Sequence, residues 1–165
     1  MTIVAETDAL TEVSRAEIED FYSDYYDALD SMRLEDWPEF FIEDCVYRVV
    51  ARENYERNMR LATIGAESKG ALQDRVMGLT KTQVYAPRYY RRFPGPVKVR
   101  PAENGYIPAE HNLLMVQTLV DKPSEIVLCG RCYDQLVVSK SKLLLKRRDV
   151  VFDSEMILNS LIYPA

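Results

Sequence analysis

The stretch Trp37-Pro-Glu-Phe-Phe-Ile-Glu-Asp-Cys-Val-Tyr47 decides the fold of this chain, because it joins a short helix to the start of a strand. Asp36 is the candidate N-cap of that helix, and Pro38 suits its first turn. Glu43-Asp44 predicts the exit turn, and the alternation of apolar and polar residues from Cys45 onward predicts a strand. Three aromatic side chains are expected to pack in the core rather than line a pocket: Trp37, Phe40 and Phe41.

A long amphipathic helix precedes this stretch and is predicted to begin at Ser14, which forms a capping box with Glu17. Its opposite face is acidic, which indicates a solvated surface. Residues 1–12 are expected to form a flexible leader ahead of one domain over residues 13–165. Apolar side chains recur at helical spacing and predict a stripe that faces the core: Ile18, Phe21, Tyr22, Tyr25, Leu29 and Met32.

The rest of the chain predicts a mostly antiparallel sheet. Residues 59–64 are expected to form a short strand and residues 68–81 a third helix. Prolines then punctuate the chain up to Pro108, which excludes helix interiors. The apolar tail, residues 153–165, is expected to pack against a surface. Three long runs joined by short polar turns predict a meander: residues 110–120, 125–138 and 143–152.

Length, composition and charge argue against several classes of function. A chain of 165 residues with 47% hydrophobic residues fits one globular domain. The formal net charge of -5 argues against a nucleic-acid or anionic-membrane partner. No apolar run approaches the roughly 20 residues of a membrane span. The N-terminus lacks the basic and apolar segments of a signal peptide, so we expect a cytoplasmic protein.

The histidine and cysteine content argues against iron chemistry in this chain. A Rieske cluster needs two histidines and two cysteines, and a mononuclear non-haem iron site needs two histidines and a carboxylate. The chain has one histidine, His111. Cys129-Gly-Arg-Cys132 has the spacing of a redox or metal motif, but the two sulfurs should point to opposite faces of a predicted strand. We therefore predict no metal or cofactor bound by this chain.

Helices followed by a curled antiparallel sheet form an α+β pattern. The order of elements resembles the cone of nuclear transport factor 2 (NTF2), the ketosteroid isomerases and the SnoaL-like proteins. This NTF2-like resemblance implies a curved, mainly antiparallel sheet wrapped around the N-terminal helices.

Within the cone proteins, the chain resembles the small (beta) subunit of the aromatic-ring-hydroxylating dioxygenases, in the Rieske non-haem iron oxygenase family. The similarity runs in order over residues 14–160, and the first segments look closest to the branch acting on aromatic acids such as salicylate, anthranilate or terephthalate. Five segments carry it: residues 33–41, 45–48, 67–75, 85–92 and 146–153.

The resemblance implies a non-catalytic structural subunit that supports assembly of iron-bearing large (alpha) subunits. The large subunit would hold the Rieske [2Fe-2S] cluster and the mononuclear Fe(II). Electrons would come from NAD(P)H through a reductase, often with a ferredoxin. The small subunits would form a trimer within an α3β3 hexamer.

The tract Arg88-Tyr-Tyr-Arg-Arg92 is the strongest candidate for a subunit interface, because arginine and tyrosine are enriched where proteins meet. A solvated strand edge is the alternative, and edge-strand arginines should contribute little to the core. Arg75 is expected to pair with a carboxylate, in its own subunit or across subunits. The candidate interface residues are Arg75, Arg88, Tyr89, Arg91 and Arg92.

Two other functions stay open from the residues alone. One is a free-standing isomerase or dehydratase, which needs an open interior lined by a carboxylate or a His–Asp pair. Its candidate residues are His111, Asp134, Asp24 and scattered tyrosines, and no spacing selects a pair among them. The other is a ligand-binding or scaffolding cone of nuclear transport factor type. Fold alone does not decide between them, and we expect His111 to be structural or interfacial.

Overall fold

A computed structural model describes residues 13–82, 84–157 and 161–165, so the predicted leader lies outside the described residues. The elements follow in chain order: α1 (Arg15–Asp30), a 3₁₀ helix (Leu34–Phe40), β1 (Phe41–Ala51), α2 (Arg52–Glu56), β2 (Ile64–Ala66), α3 (Lys69–Met77), a π-helical turn (Gly78–Thr82), β3 (Arg88–Pro94), β4 (Lys98–Val99), β5 (Ile107–Leu119), β6 (Glu125–Ser139) and β7 (Lys142–Phe152). None of the helices in these ranges is long and apolar enough to cross a membrane.

The strands form one curved sheet in the order β2-β1-β7-β6-β5-β3, with β4 also paired to β5. Strands β5, β6 and β7 pair antiparallel with their chain neighbours, which confirms the predicted meander. The pairing of β1 with β7 is parallel and places the first and last strands side by side within the sheet. The predicted α+β cone, a curved and mainly antiparallel sheet wrapped around the N-terminal helices, is confirmed.

Helix α1 covers the inner face of the sheet. The Ser14 hydroxyl accepts the backbone N–H of Glu17 at 3.2 Å, and the Glu17 carboxylate accepts the backbone N–H of Ser14 at 2.8 Å, as the capping box predicts. The predicted apolar stripe is buried, with one exception. Met32 lies in the turn after α1, with a φ of 59°, and is 39% exposed.

The stretch around Trp37 corrects two predictions. The 3₁₀ helix begins at Leu34, so Asp36 lies inside it and pairs with Arg33 at 3.2 Å instead of capping it. Strand β1 already begins at Phe41, so the predicted turn at Glu43-Asp44 is wrong. The register between β1 and β7 shifts between Phe41 and Val46, which accommodates these two exposed acidic residues within the strand.

The segment after β1 also differs from the prediction. The short strand lies at Ile64–Ala66 rather than over residues 59–64, and helix α2 was not predicted. Tyr55 of α2 stacks on Tyr133 of β6, with ring centroids 5.2 Å apart and planes 8° apart, so a long-range contact holds this helix on the outer face of the sheet. The predicted third helix is present as α3 and its π-helical extension.

The end of the predicted tail, residues 161–165, packs against the body of the subunit, whereas residues 153–156 are exposed and residues 158–160 lie outside the described residues. Leu161, Ile162 and Ala165 are buried. The backbone N–H of Ala165 donates to the Tyr47 hydroxyl at 2.8 Å, which joins the tail to β1. Residues 161–165 therefore lie in the core between α1, α3 and the sheet.

Candidate functional site: the interior of the cone and the outer face of the sheet

The interior of the cone contains a polar cluster. Strands β5, β6 and β7 place His111, Asp134 and Arg148 on the face that packs against α1, because side chains alternate along each strand. Asp134 and Arg148 are directly paired in the register of β6 and β7. All three side chains have no exposed surface.

Helix α1 contributes two tyrosines to this cluster. The Tyr22 hydroxyl donates to Asp134 Oδ2 at 2.7 Å, and Arg148 Nη1 donates to the same oxygen at 3.0 Å. Arg148 Nη2 donates to the Tyr26 hydroxyl, which lies 2.6 Å from His111 Nε2. The three bonds made by the tyrosines join residues more than 80 positions apart in sequence and fix the position of α1 against the sheet.

Burial decides the charge states in this cluster. It raises the pKa of Asp134 to about 6, although the attraction of Arg148 opposes the shift. It lowers the pKa of His111 to about 3, and the positive charge of Arg148 lowers it further. The pKa values of Tyr22 and Tyr26 are raised, again chiefly by burial. At neutral pH the cluster therefore contains a neutral histidine and an Arg148–Asp134 ion pair.

Of the residues considered for a catalytic interior, the structure brings together His111 and Asp134 with two of the tyrosines, Tyr22 and Tyr26. His111 Nδ1 lies 3.9 Å from Asp134 Oδ2, whereas Asp24 is exposed on the far side of α1. Acid–base catalysis requires that substrate reach the pair, and these two side chains are completely buried. The interior accordingly lacks the access that a free-standing isomerase needs at these residues. Arg148 was not predicted, although its alternation with Val150 and Phe152 along β7 was a usable signal.

Strand β3 divides the Arg88–Arg92 tract between two faces. Arg92 points inward: its Nη1 lies 2.5 Å from Asp30 Oδ1, its backbone N–H donates to Asp30 Oδ2 at 3.0 Å, and its Nη2 donates to the Pro164 carbonyl. The expectation that edge-strand arginines contribute little to the core is wrong for Arg92, whose side chain has no exposed surface. Arg88 is half-buried and donates to Gln117 at 3.1 Å.

For Arg75, the expected carboxylate pairing within its own subunit is not found among the described residues, and the pairing across subunits stays a prediction. Its Nη2 donates to the backbone carbonyl of Ile162 at 2.9 Å, so its partner in the described chain is the tail and not a carboxylate. Arg75 and Arg92 together hold residues 161–165 against the body of the subunit.

The outward-facing residues of β3 begin an apolar surface on the other side of the sheet. Tyr89 is 60% exposed, Phe93 is 56% exposed and Ile126 of β6 is 60% exposed. Cross-strand pairing places Phe93 beside Leu114 and Arg91 beside Val116. We call this surface the outer patch; it consists of Tyr89, Arg91, Phe93, Leu114, Val116 and Ile126.

The two cysteines of the CxxC spacing diverge, as predicted. Cys129 is exposed on the outer face, and Cys132 is buried beside Arg148 on the inner face. Gly130 between them allows β6 and β7 to approach, because a Cβ at this position would lie 2.0 Å from the carbonyl oxygen of Val151. Within the described ranges no three His, Cys, Asp or Glu residues are grouped as metal ligands. The donor set of a Rieske or mononuclear iron site is not assembled there.

The fold and the buried interior define an α+β cone protein. The sequence profile of the family described as ring hydroxylating beta subunit matches residues 26–159, and the chain belongs to this family.

Relatives support the same assignment. The chain is 31% identical to the anthranilate 1,2-dioxygenase small subunit of Burkholderia cepacia, over 85% of this chain and 87% of the relative. It is 26% identical to subunit beta 1 of the terminal oxygenase component of terephthalate 1,2-dioxygenase from a Comamonas species, over 86% and 92% of the two chains. A crystal structure assigned to an aromatic-ring-hydroxylating dioxygenase beta subunit of Novosphingobium aromaticivorans superposes with a TM-score of 0.82 and 31% identity, covering 93% of this chain and 97% of that one.

Proposed function

We propose that this chain is the small, non-catalytic structural subunit of a multicomponent oxygenase that hydroxylates an aromatic ring. Membership of the beta-subunit family across residues 26–159 is the observation that carries this function. The buried interior fits it, because His111 and Asp134 hold elements of the fold together where substrate has no access to them. The chain thus serves an oxidoreductase complex without contributing residues to the reaction.

We infer that the substrate is an aromatic acid. The two relatives named above are subunits of enzymes named for anthranilate and terephthalate, and both of these compounds carry carboxylate groups on an aromatic ring. The large subunit would supply the substrate pocket.

The cofactors of the complex would reside in the large subunit, as a Rieske [2Fe-2S] cluster and a mononuclear Fe(II). Electrons would reach it from NAD(P)H through a reductase, with or without a ferredoxin. The histidine count supports this division, because one histidine supplies neither set of iron ligands. The cytoplasmic location and the absence of iron in this chain stay predictions.

We propose that the outer patch is a subunit interface within a trimer of small subunits in an α3β3 hexamer. Its tyrosine, arginine and phenylalanine are typical of residues that anchor interfaces. An exposed apolar surface on a folded subunit indicates a binding site. The sheet edge beside the patch is partly covered, since the Asp30 side chain accepts the backbone N–H of Arg92. The outer face of β3, rather than its edge, is therefore the surface available for contact.

The test uses two charge changes in full-length chains co-expressed with the large subunit. Arg91→Glu combined with Ile126→Asp places charge in the outer patch, and Lys122→Glu in the exposed turn between β5 and β6 is the matched control. Truncation of interfacial charge pairs costs about 2–5 kcal/mol, so assembly should weaken at least about 30-fold. The expected result by sedimentation is a folded but unassembled double variant and an assembled control. Normal assembly of the double variant would show that the outer patch is not the interface.

A further inference from the structure

Three polar atoms in the interior cluster have no hydrogen-bond partner among the described residues: His111 Nδ1, Asp134 Oδ1 and Arg148 Nε. Each belongs to a side chain with no exposed surface. Buried polar atoms in folded proteins are nearly always hydrogen-bonded to protein or to an ordered water. Two donors and one acceptor in one buried cluster therefore need an explanation.

The hydrogen bonds of the cluster assign the proton on His111. A guanidinium group can only donate, so the Tyr26 oxygen accepts from Arg148. The Tyr26 hydroxyl can then donate its proton to one neighbour. His111 Nε2 lies 2.6 Å from the Tyr26 oxygen and the Cys132 sulfur lies 3.8 Å from it, so the proton goes to Nε2. Nε2 is thus an acceptor, and the neutral imidazole carries its proton on Nδ1.

The Nδ1 atom of His111 lies near a carboxylate but beyond hydrogen-bond distance from it. Asp134 Oδ2 is 3.9 Å from Nδ1, beyond hydrogen-bond distance, and already accepts from Tyr22 and Arg148. Asp134 Oδ1 accepts no hydrogen bond from the described residues. A buried donor and a buried acceptor on neighbouring side chains that do not bond directly can be bridged by one water.

We propose that the cone interior contains a buried water-binding site between His111 Nδ1 and Asp134 Oδ1, with Arg148 Nε as a further donor beside it. The water accepts a hydrogen bond from Nδ1–H and donates one to Oδ1. It closes a ring that runs from Arg148 through Tyr26, His111 and the water to Asp134 and back to Arg148. The ring includes residues of α1, β5, β6 and β7 and selects a single orientation of the helix within the sheet.

The single histidine makes the test direct, because every histidine ring signal of a ¹⁵N-labelled full-length chain belongs to His111. Proton–nitrogen correlation spectra at pH 7 should show a neutral ring protonated on Nδ1. A high-resolution crystal structure should show a water within hydrogen-bond distance of both Nδ1 and Oδ1. A ring protonated on Nε2, a direct contact between Nδ1 and the carboxylate, or the absence of water density would overturn the proposal.

Two tyrosine variants distinguish the effect of this ring of hydrogen bonds from the effect of packing alone. Tyr26→Phe removes the hydroxyl that donates to Nε2, so the proton should become shared between the two ring nitrogens. Tyr25→Phe is the matched control, since Tyr25 is equally buried and its hydroxyl bonds to Ala165 and Trp37 instead of His111. Identical ring spectra for the two variants would refute the proton assignment. If Tyr26→Phe does not fold, the wild-type spectrum and density still decide the question.

Discussion

Replacing Arg148 by methionine should remove the positive charge at the centre of the cone. The Arg148 side chain is fully buried, donates to Asp134 at 3.0 Å, and lies over the Tyr25 ring with 4.4 Å between the guanidinium carbon and the ring centroid. Removing one partner of a buried ion pair costs about 3–5 kcal/mol, because the other charge stays buried without compensation. Since whole domains are stable by about 5–15 kcal/mol, this one change should remove a large part of the free energy of unfolding.

The neighbouring arginine provides the matched control. Arg147 lies on the outer face, its side chain is 34% exposed, and its partner Asp149 keeps a second arginine, Arg48, at 2.7 Å. Arg147→Met should therefore cost at most about 1 kcal/mol. Urea titrations followed by the fluorescence of Trp37, the single tryptophan, measure both variants. Equal losses in free energy of unfolding for Arg148→Met and Arg147→Met would refute the reasoning that the interior ion pair holds α1 against the sheet.

The cost of Arg148→Met should depend on pH. Burial raises the pKa of Asp134 to about 6, above about 3.9 in an unfolded chain, and without Arg148 the folded value rises further. A group with a raised folded pKa contributes stability that is present below the unfolded pKa and lost as pH rises through the folded pKa. The loss in free energy of unfolding caused by Arg148→Met should therefore be smallest near pH 4 and largest above pH 7. A deficit independent of pH would contradict the role assigned to Asp134.

Three further changes test separate parts of the structure. Gly130→Ala should cost at least about 2 kcal/mol in urea titrations because its methyl group would clash with the backbone of β7, whereas Gly65→Ala, which has open space around it, should cost under about 1 kcal/mol. Arg92→Ala should cost about 2–4 kcal/mol, because it removes the ion pair between the buried Arg92 side chain and the partly buried Asp30. Arg91→Ala should stay within about 0.5 kcal/mol in the isolated chain. The pKa of His111 is lowered to about 3 in the fold, below about 6.5 in the unfolded chain. The contribution of neutral His111 to stability is therefore present above pH 6.5 and lost as pH falls toward 3. Between pH 7 and pH 4 the free energy of unfolding of the wild type should fall by about 3 kcal/mol more than that of His111→Gln.

The parts of the fold that were predicted correctly depend on local signals. The capping box at Ser14 and the spacing of the α1 stripe involve residues within one or two turns of each other. The meander follows from long alternating runs separated by short polar turns. The failures at Glu43-Asp44 and in residues 59–64 have a tertiary cause, because the pairing of β1 with β7 and with β2 decides where these strands begin and end. The failure at Asp36 is local, because Arg33 pairs with this carboxylate.

The interior cluster was beyond the reach of sequence spacing. Tyr22 and Asp134 are 112 positions apart, and Tyr26 and Arg148 are 122 positions apart, so no local pattern joins them. For the Arg88–Arg92 tract, by contrast, a local pattern in the sequence was available. Period-two alternation along β3 already separates Arg92 from Arg91, and it would have placed Arg92 in the core had the strand been assigned a buried face.

Co-purification with an iron-bearing large subunit tests the central claim most directly. The tagged full-length chain is expressed with and without the large subunit, and the purified material is analysed by native mass spectrometry, iron content and visible absorption. We expect equimolar small and large subunits, with iron and the Rieske-type spectrum present only when the large subunit is present. Stoichiometric iron and that spectrum in the isolated chain, or a chain that retains no large subunit, would contradict the assignment as a non-catalytic structural subunit.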